Sequence, residues 1–439
     1  MCKNLKLNYR YIFCLALLIA VTIFLTQALF IIKQRNIIPV DDPSYYFSYV
    51  RSLIIDNDLD FTNEYNYFGI TDYAFTPVGK LSNFYSIGFP ILVLPFYAIT
   101  HYLVLFFNMI GLSVISDGYS KVYQITFSLS GIFYGFSGLF ICYLFLKEYF
   151  SESISSISII ILIITTNLFF YITISPYTSE PYSFFCVTLF VFLWQKTIFL
   201  HNKYILFFLG VTAGFMIMVR QQNAAFLILI VIGYISQINS LPMRTIFKEI
   251  VLITLGIFLS FLPQIMVWKI IYGSFFVYSY EDASFPYIFE PKILQVLLST
   301  RHGLISWHPI IFICLVGIII SIRSYKIIGF SFFISFIIQL YIISSWWYWS
   351  LGYSFGNRGF IGCSSMFAFG MANILEIKII NKNMAIIIIF ILTLSAWNII
   401  LSLLYLSGII PIDDYFRWPD LIKNIHMLPE RLLERIHSL

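Results

Sequence analysis

FPILVLPFYAITHYLVLFFNMIGL, residues 89–112, decides how the rest of this chain is laid out. It is apolar and long enough to cross a hydrocarbon core of about 30 Å, which takes about 20 residues. It also carries Pro90, Pro95, His101 and Asn108, which are awkward in a helix exposed to lipid. Eleven other apolar runs surround it, at 11–32, 123–146, 155–174, 182–200, 204–219, 223–239, 250–268, 308–322, 327–345, 359–375 and 384–406. If 89–112 does not cross, the inner loops hold twelve of the 26 basic residues against four acidic ones. The outside then keeps fourteen basic and 17 acidic residues, and every short loop obeys the positive-inside rule. If it crosses, the later basic loops all flip outward. The segment is therefore read as juxtamembrane or re-entrant, inside a long first external loop, 33–122.

Composition agrees with that layout. Of 439 residues 60% are hydrophobic and 11% charged, against about 45–50% and about 25% in a soluble domain. Soluble enzymes, disulfide scaffolds and disordered tails are excluded, and a net charge of +5 is too small to point to nucleic acid. The six cysteines have no metal-ligand spacing and read as small apolar side chains. Lys3, Lys6 and Arg10 precede Tyr11–Ile32, which no small-residue cleavage site follows, so the first run is expected to be an uncleaved signal-anchor with a cytoplasmic N-terminus. The fold class is an all-α polytopic membrane protein of about eleven transmembrane helices. Residues 1–406 form its transmembrane domain, and 407–439 a short external tail along the interface.

The spans are nearly free of charge and show no clear internal repeat, whereas an ion-coupled transporter would carry ionisable groups near the midplane. The acids gather outside, many in the first loop: Asp41, Asp42, Asp56, Asp58, Asp60, Glu64 and Asp72. Chemistry is expected at the external surface. Asp42 before Pro43 reads as a helix start, the carboxylate as N-cap and proline at the first helical position. Asp41 has no such structural use, and a carboxylate tethered just above the lipid suits a general base.

Asp41-Asp42-Pro43-Ser44-Tyr45, then Arg51-Ser52-Leu53 and Asp56-Asn57-Asp58-Leu59-Asp60 with Asn63 and Tyr65, resembles the first-loop signature of GT-C glycosyltransferases. The likeness is to the protein O-mannosyltransferase and aminoarabinose-transferase type. It covers about the first 360 residues and is strongest in the first loop. It implies a GT-C fold and an inverting transfer of sugar from a polyprenyl-phosphate carrier to a hydroxyl of a lipid, glycan or protein acceptor. The expected setting is the outer face of a bacterial plasma membrane, with no cofactor and no metal. The acidic pair of those families is usually Asp-Glu with the Asp as base, which maps to Asp41; Asp42 departs from the pattern. A lysine that precedes paired prolines in many members is replaced by Ser86-Ile87-Gly88, which leaves Lys80 as the substitute for a phosphate contact. Glu180 stands where the families place a second acid, usually Asp. It reads equally as a helix-start carboxylate before Pro181.

Three more positive groups are candidates for the carrier phosphate. Arg220, in Val219-Arg220-Gln221-Gln222-Asn223, sits at a membrane boundary where a guanidinium needs a partner; the alternative is a snorkelling arginine. Arg301 and His302, in Ser299–Pro309, belong to a stretch that resembles a loop of bacterial members. Arg358 closes Ser354-Phe355-Gly356-Asn357-Arg358, after an aromatic run at 346–349. The site expectation is thus Asp41, Asp42 and Glu180 for catalysis, with Lys80, Arg220, Arg301, His302 and Arg358 for substrate. The rival readings are a transporter or flippase, and a polymerase or ligase of lipid-linked saccharides.

Overall fold

The computed structural model describes residues 36–280, 283–377 and 384–438. The first apolar run, its three basic residues, Cys2 and Cys14 lie outside the described residues. What is described is helical, with one isolated antiparallel bridge, Phe75 to Leu81.

The first loop supplies α1 (Asp42–Arg51, continued by a wider turn to Asp56), α2 (Thr62–Phe68) and α3 (Gly88–Met109). The bundle follows as α4 (Lys121–Leu146), α5 (Glu152–Thr165), α6 (Glu180–Phe199), α7 (Lys203–Val219), α8 (Ile228–Gln237) and α9 (Met243–Tyr272). After a loop carrying α10 (Ile293–Leu298) and α11 (Leu304–Trp307) come α12 (Ile310–Ser324), α13 (Lys326–Ser345), α14 (Ser364–Glu376) and α15 (Met384–Leu406); α16 (Trp418–Asn424) and α17 (Leu428–Ser438) form the tail. Among the described residues six helices are long and apolar enough to cross a membrane alone, and α5, α7 and α12 are shorter apolar helices. Each later apolar run of the sequence falls on one helix or on two consecutive helical pieces, because in lipid the backbone must satisfy its own hydrogen bonds. This is a multi-pass integral membrane protein.

Segment 89–112 forms one unbroken helix, α3, with Pro95 inside it and no re-entrant turn. It begins beside the end of α7, where a Cβ on Gly88 would lie 2.4 Å from the carbonyl carbon of Met218. It then runs antiparallel to the first half of α4 only. Tyr134 donates to the Leu92 carbonyl at 3.1 Å, Thr100 meets Thr126 at 2.8 Å and His101 meets Tyr123 at 2.9 Å. By length and composition α3 is itself one of the six helices that could cross a membrane, and it lies on the end of the bundle that carries α1.

Helices in lipid gain little from hydrophobicity and associate through close packing. The crossing of α12 and α14 shows this: a Cβ on Gly317 would fall 2.0 Å from the Gly370 carbonyl oxygen, so only glycine lets the backbones meet. Cys142, Cys186, Cys314 and Cys363 are buried free thiols within the bundle.

Candidate active site

Asp41 adopts an extended backbone and α1 starts at the next residue. Its carbonyl accepts the Ser44 amide (2.9 Å) and hydroxyl (2.8 Å), so the backbone performs the capping. Here the structure corrects the sequence reading of Asp42. Asp42 is the first helical residue rather than the cap, Pro43 is the second, and the Asp42 carboxylate faces away from the helix end. Asp41 occupies the cap position, and the Asp42 carboxylate takes a guanidinium, a strong charged partner, instead. Asp42 pairs with Arg358 at 2.9 Å and accepts a hydrogen bond from the Tyr85 hydroxyl.

Arg358 arrives from a different part of the chain. Asn357 accepts the Gly359 amide at 3.2 Å and so starts the turn Arg358–Cys363 that leads into α14. The Gly359 carbonyl takes hydrogen bonds from Gln222 (2.8 Å) and Gln339 (3.0 Å). Gln222 belongs to the segment that opens with Arg220, where α7 ends because Arg220 turns extended. Arg220 pairs with Glu180, the fully buried first residue of α6, and Arg358 lies 3.7 Å from the same carboxylate oxygen. Four elements thus bring Asp42, Arg358, Glu180 and Arg220 into one alternating network. Glu180 serves as buried counter-ion to two arginines, and one of its oxygens and the Arg358 Nε have no hydrogen-bond partner among the described residues.

The network floors a cavity of about 800 Å³ lined by Asp41, Asp42, Arg220 and Arg358. Its walls are aromatic: Tyr46, Tyr73 and Tyr85 from the first loop, Tyr278 and Tyr280 from the loop after α9, and Trp346, Trp347 and Tyr348 beyond α13. Asp72 lies on the wall contributed by the first loop. The two adjacent carboxylates are electrically unlike. Burial, and then the negative charge of Asp42, push Asp41 up to about 6. Burial works on Asp42 in the same sense, but Arg358, the Tyr85 hydroxyl and Arg220 outweigh it and hold Asp42 below the usual carboxylate range. A pair of carboxylates driven apart in this way can supply a proton acceptor beside a permanent anion.

Of the expected site residues, Asp41, Asp42, Glu180, Arg220 and Arg358 come together here. Lys80 does not: it sits behind the first-loop bridge and its Nζ reaches the Leu59 carbonyl at 3.5 Å. Arg301 is engaged by Asp413 of the tail at 2.8 Å. His302 is fully buried with Nδ1 on the Ser350 carbonyl at 2.9 Å, and burial lowers its pKa. The sequence reading missed Tyr85 and Asp413. With 31 tyrosines in the chain and aromatic residues expected at any membrane interface, Tyr85 carried no local signal. Among the described residues no three His, Cys, Asp or Glu side chains group to hold a metal.

An all-helical bundle with an acid-bearing first loop folded over one end is the GT-C glycosyltransferase-like fold. The chain is similar over 99% of its length to the crystal structure of ArnT from Cupriavidus metallidurans in the apo state, at a TM-score of 0.56 and 8% identity, covering 74% of that chain. ArnT from the same organism bound to undecaprenyl phosphate matches over 98%, at a TM-score of 0.51 and 10% identity, again covering 74%. At such identities the likeness is one of fold. No protein-family model matches the chain, and no curated protein does.

Proposed function

We propose that this protein is an inverting glycosyltransferase of the outer membrane face, which moves a sugar from a polyprenyl phosphate to an acceptor hydroxyl. The observation that carries the reading is the pair Asp41–Asp42 at the cavity floor, one carboxyl raised towards neutrality and the other held anionic against Arg358. The GT-C-like fold, and an ArnT crystallised with undecaprenyl phosphate, support the donor class. In this reading eleven helices span the membrane, the N-terminus is cytoplasmic and the cavity opens outward.

Asp41 takes the proton of the acceptor hydroxyl as its oxygen attacks the anomeric carbon. The bond from that carbon to the phosphate oxygen breaks with its electron pair, and polyprenyl phosphate leaves. The attacking and leaving groups lie on opposite faces, hence inversion. A phosphate is already a good leaving group, so no general acid is required. Arg358 and Arg220, preorganised by Glu180 and Asp42, meet the developing negative charge in a half-enclosed site. The membrane confines the carrier to two dimensions and supplies proximity.

The test is release of free polyprenyl phosphate from a panel of undecaprenyl-phosphate sugars, wild type against Asp41→Asn at equal expression. Release lost in the variant supports the mechanism and names the donor. Release untouched by the mutation removes Asp41 as base, and no release from any donor removes the transferase reading in favour of a transporter or a ligase of lipid-linked saccharides.

A further inference from the structure

We propose that Asp413, in the tail, is a positioning residue that clasps the aromatic wall of the cavity in its working shape; the proposal rests on the transferase reading above. The last spanning helix ends at Leu406, and the chain then folds back against the cavity end of the bundle. There the Asp413 carboxylate gathers three side chains from two loops. Arg301 donates to it from Nε at 2.9 Å and lies at 2.8 Å through Nη2, Tyr348 donates its hydroxyl, and Ser350 approaches at 3.4 Å. The neighbouring tail holds on independently: the Phe416 amide reaches the Thr300 hydroxyl at 3.3 Å, and the Trp397 and Trp418 rings meet at 5.4 Å.

Tyr348 links the clasp to the substrate space. It lines the cavity and stacks on Trp347, with ring centroids 5.0 Å apart. The wall it belongs to then turns through Leu351 at φ +61°, a conformation that branched side chains rarely adopt, and Gly352 at φ +65°. A turn of that kind persists only where its surroundings hold it. Asp413 supplies the hold from outside the cavity, through Tyr348 and Ser350. Arg301, unlike Arg220 and Arg358, does not line the cavity, and its guanidinium acts here on the tail.

A residue acting in this way shifts substrate binding more than turnover. The full-length protein is compared as wild type, Asp413→Asn, Asp413→Glu and Tyr348→Phe, with the donor identified in the release assay. Asp413→Asn and Tyr348→Phe are expected to raise KM about tenfold with kcat within about twofold, and Asp413→Glu to restore most of the loss. A second arm needs no turnover. A Ser350→Cys reporter, buried beneath the tail, is labelled with maleimide in detergent. Labelling is expected to be about tenfold faster when Asp413→Asn is added, and slow again with Asp413→Glu. Equal labelling rates, or a loss confined to kcat, overturn the proposal. If the wild type releases no carrier phosphate from any donor, the transferase reading fails by itself and the labelling rates alone decide the clasp.

Discussion

Helix α1 holds an acid–arginine cluster at each end, and the two are built for different purposes. At its start, Asp42 meets Arg358 and, through it, Glu180 and Arg220, beside a cavity of about 800 Å³. At its other end, Arg51 binds Asp56 at 2.5 Å and Glu64 at 2.6 Å, donates from Nε to the Asp117 carbonyl at 3.0 Å and covers the Tyr119 ring at 3.9 Å. The second cluster is closed. Glu64 is wholly buried, and burial pushes its carboxyl up to about 7 in spite of Arg51. The first cluster carries the adjacent Asp41 into open space. Charge, burial and residue type are alike in both, so access to a cavity is what separates a chemical site from a structural knot.

The largest effect expected at the open end is on turnover. Asp41→Asn removes the proposed proton acceptor and is expected to lower kcat by about 10²–10⁴-fold, the usual contribution of a general base. Its thermal unfolding in detergent stays within a few degrees of wild type, because the Asp41 side chain caps nothing. Comparable unfolding of both proteins with comparable turnover would remove the distinction between the two clusters.

At the closed end the loss should appear in stability instead. Arg51→Ala leaves Glu64 buried without its cation, and stranding one partner of a buried pair costs about 3–5 kcal/mol. Unfolding by heat or denaturant checks this, together with turnover per folded molecule, which should remain close to wild type. A folded, stable Arg51→Ala protein that has lost catalysis would place this cluster in the site as well.

The pH dependence sharpens the comparison. On the proposed mechanism Asp41 acts as base only when ionised, and burial with the charge of Asp42 pushes it up to about 6, so kcat/KM is expected to fall as pH drops through about 6 and to level off above it. Part of that elevation is the negative charge of Asp42. Asp42→Asn removes the charge, and the acid limb should move to lower pH even as the maximal rate declines. A limb that stays in place would separate Asp41 from the titration.

How far the site could be read in the sequence follows from the same chemistry. Asp41 and Asp42 stand out because adjacent acids before a proline are a local pattern, Glu180 because it takes the place of a second acid in the families resembled, Arg220 because a guanidinium at a membrane boundary needs a partner, and Arg358 because it closes Ser354-Phe355-Gly356-Asn357. Their pairing was invisible, since the four partners of the network are separated by 40 to more than 300 positions and meet only through helix packing. The capping role expected of Asp42 gives way by one register: the helix begins one residue earlier than that reading has it, and the Ser44 amide, which an Asp42 cap would take, is bound to the Asp41 carbonyl. The apolar runs themselves are legible because the bilayer imposes length and composition on every span, while the reading of segment 89–112 rests on the charge balance of the whole chain, since its own residues make a helix as long and apolar as a span.

Lys80 gives the smallest predicted effect and the finest test. It was the stand-in for a phosphate contact, yet the structure turns it towards the Leu59 carbonyl, outside the cavity wall to which Arg220 and Arg358 belong. Lys80→Ala should therefore change kcat/KM by less than about twofold, as expected for a half-buried lysine outside the cavity whose Nζ rests on a backbone carbonyl. Arg358→Ala provides the contrast, since it strands Asp42, leaves Glu180 to Arg220 alone and removes the cation proposed to face the leaving phosphate. A tenfold loss in Lys80→Ala, with unfolding unchanged, would mean that the bridge between Phe75 and Leu81 swings over the cavity when the carrier binds. The open cluster would then extend further into the first loop than the α1 start alone.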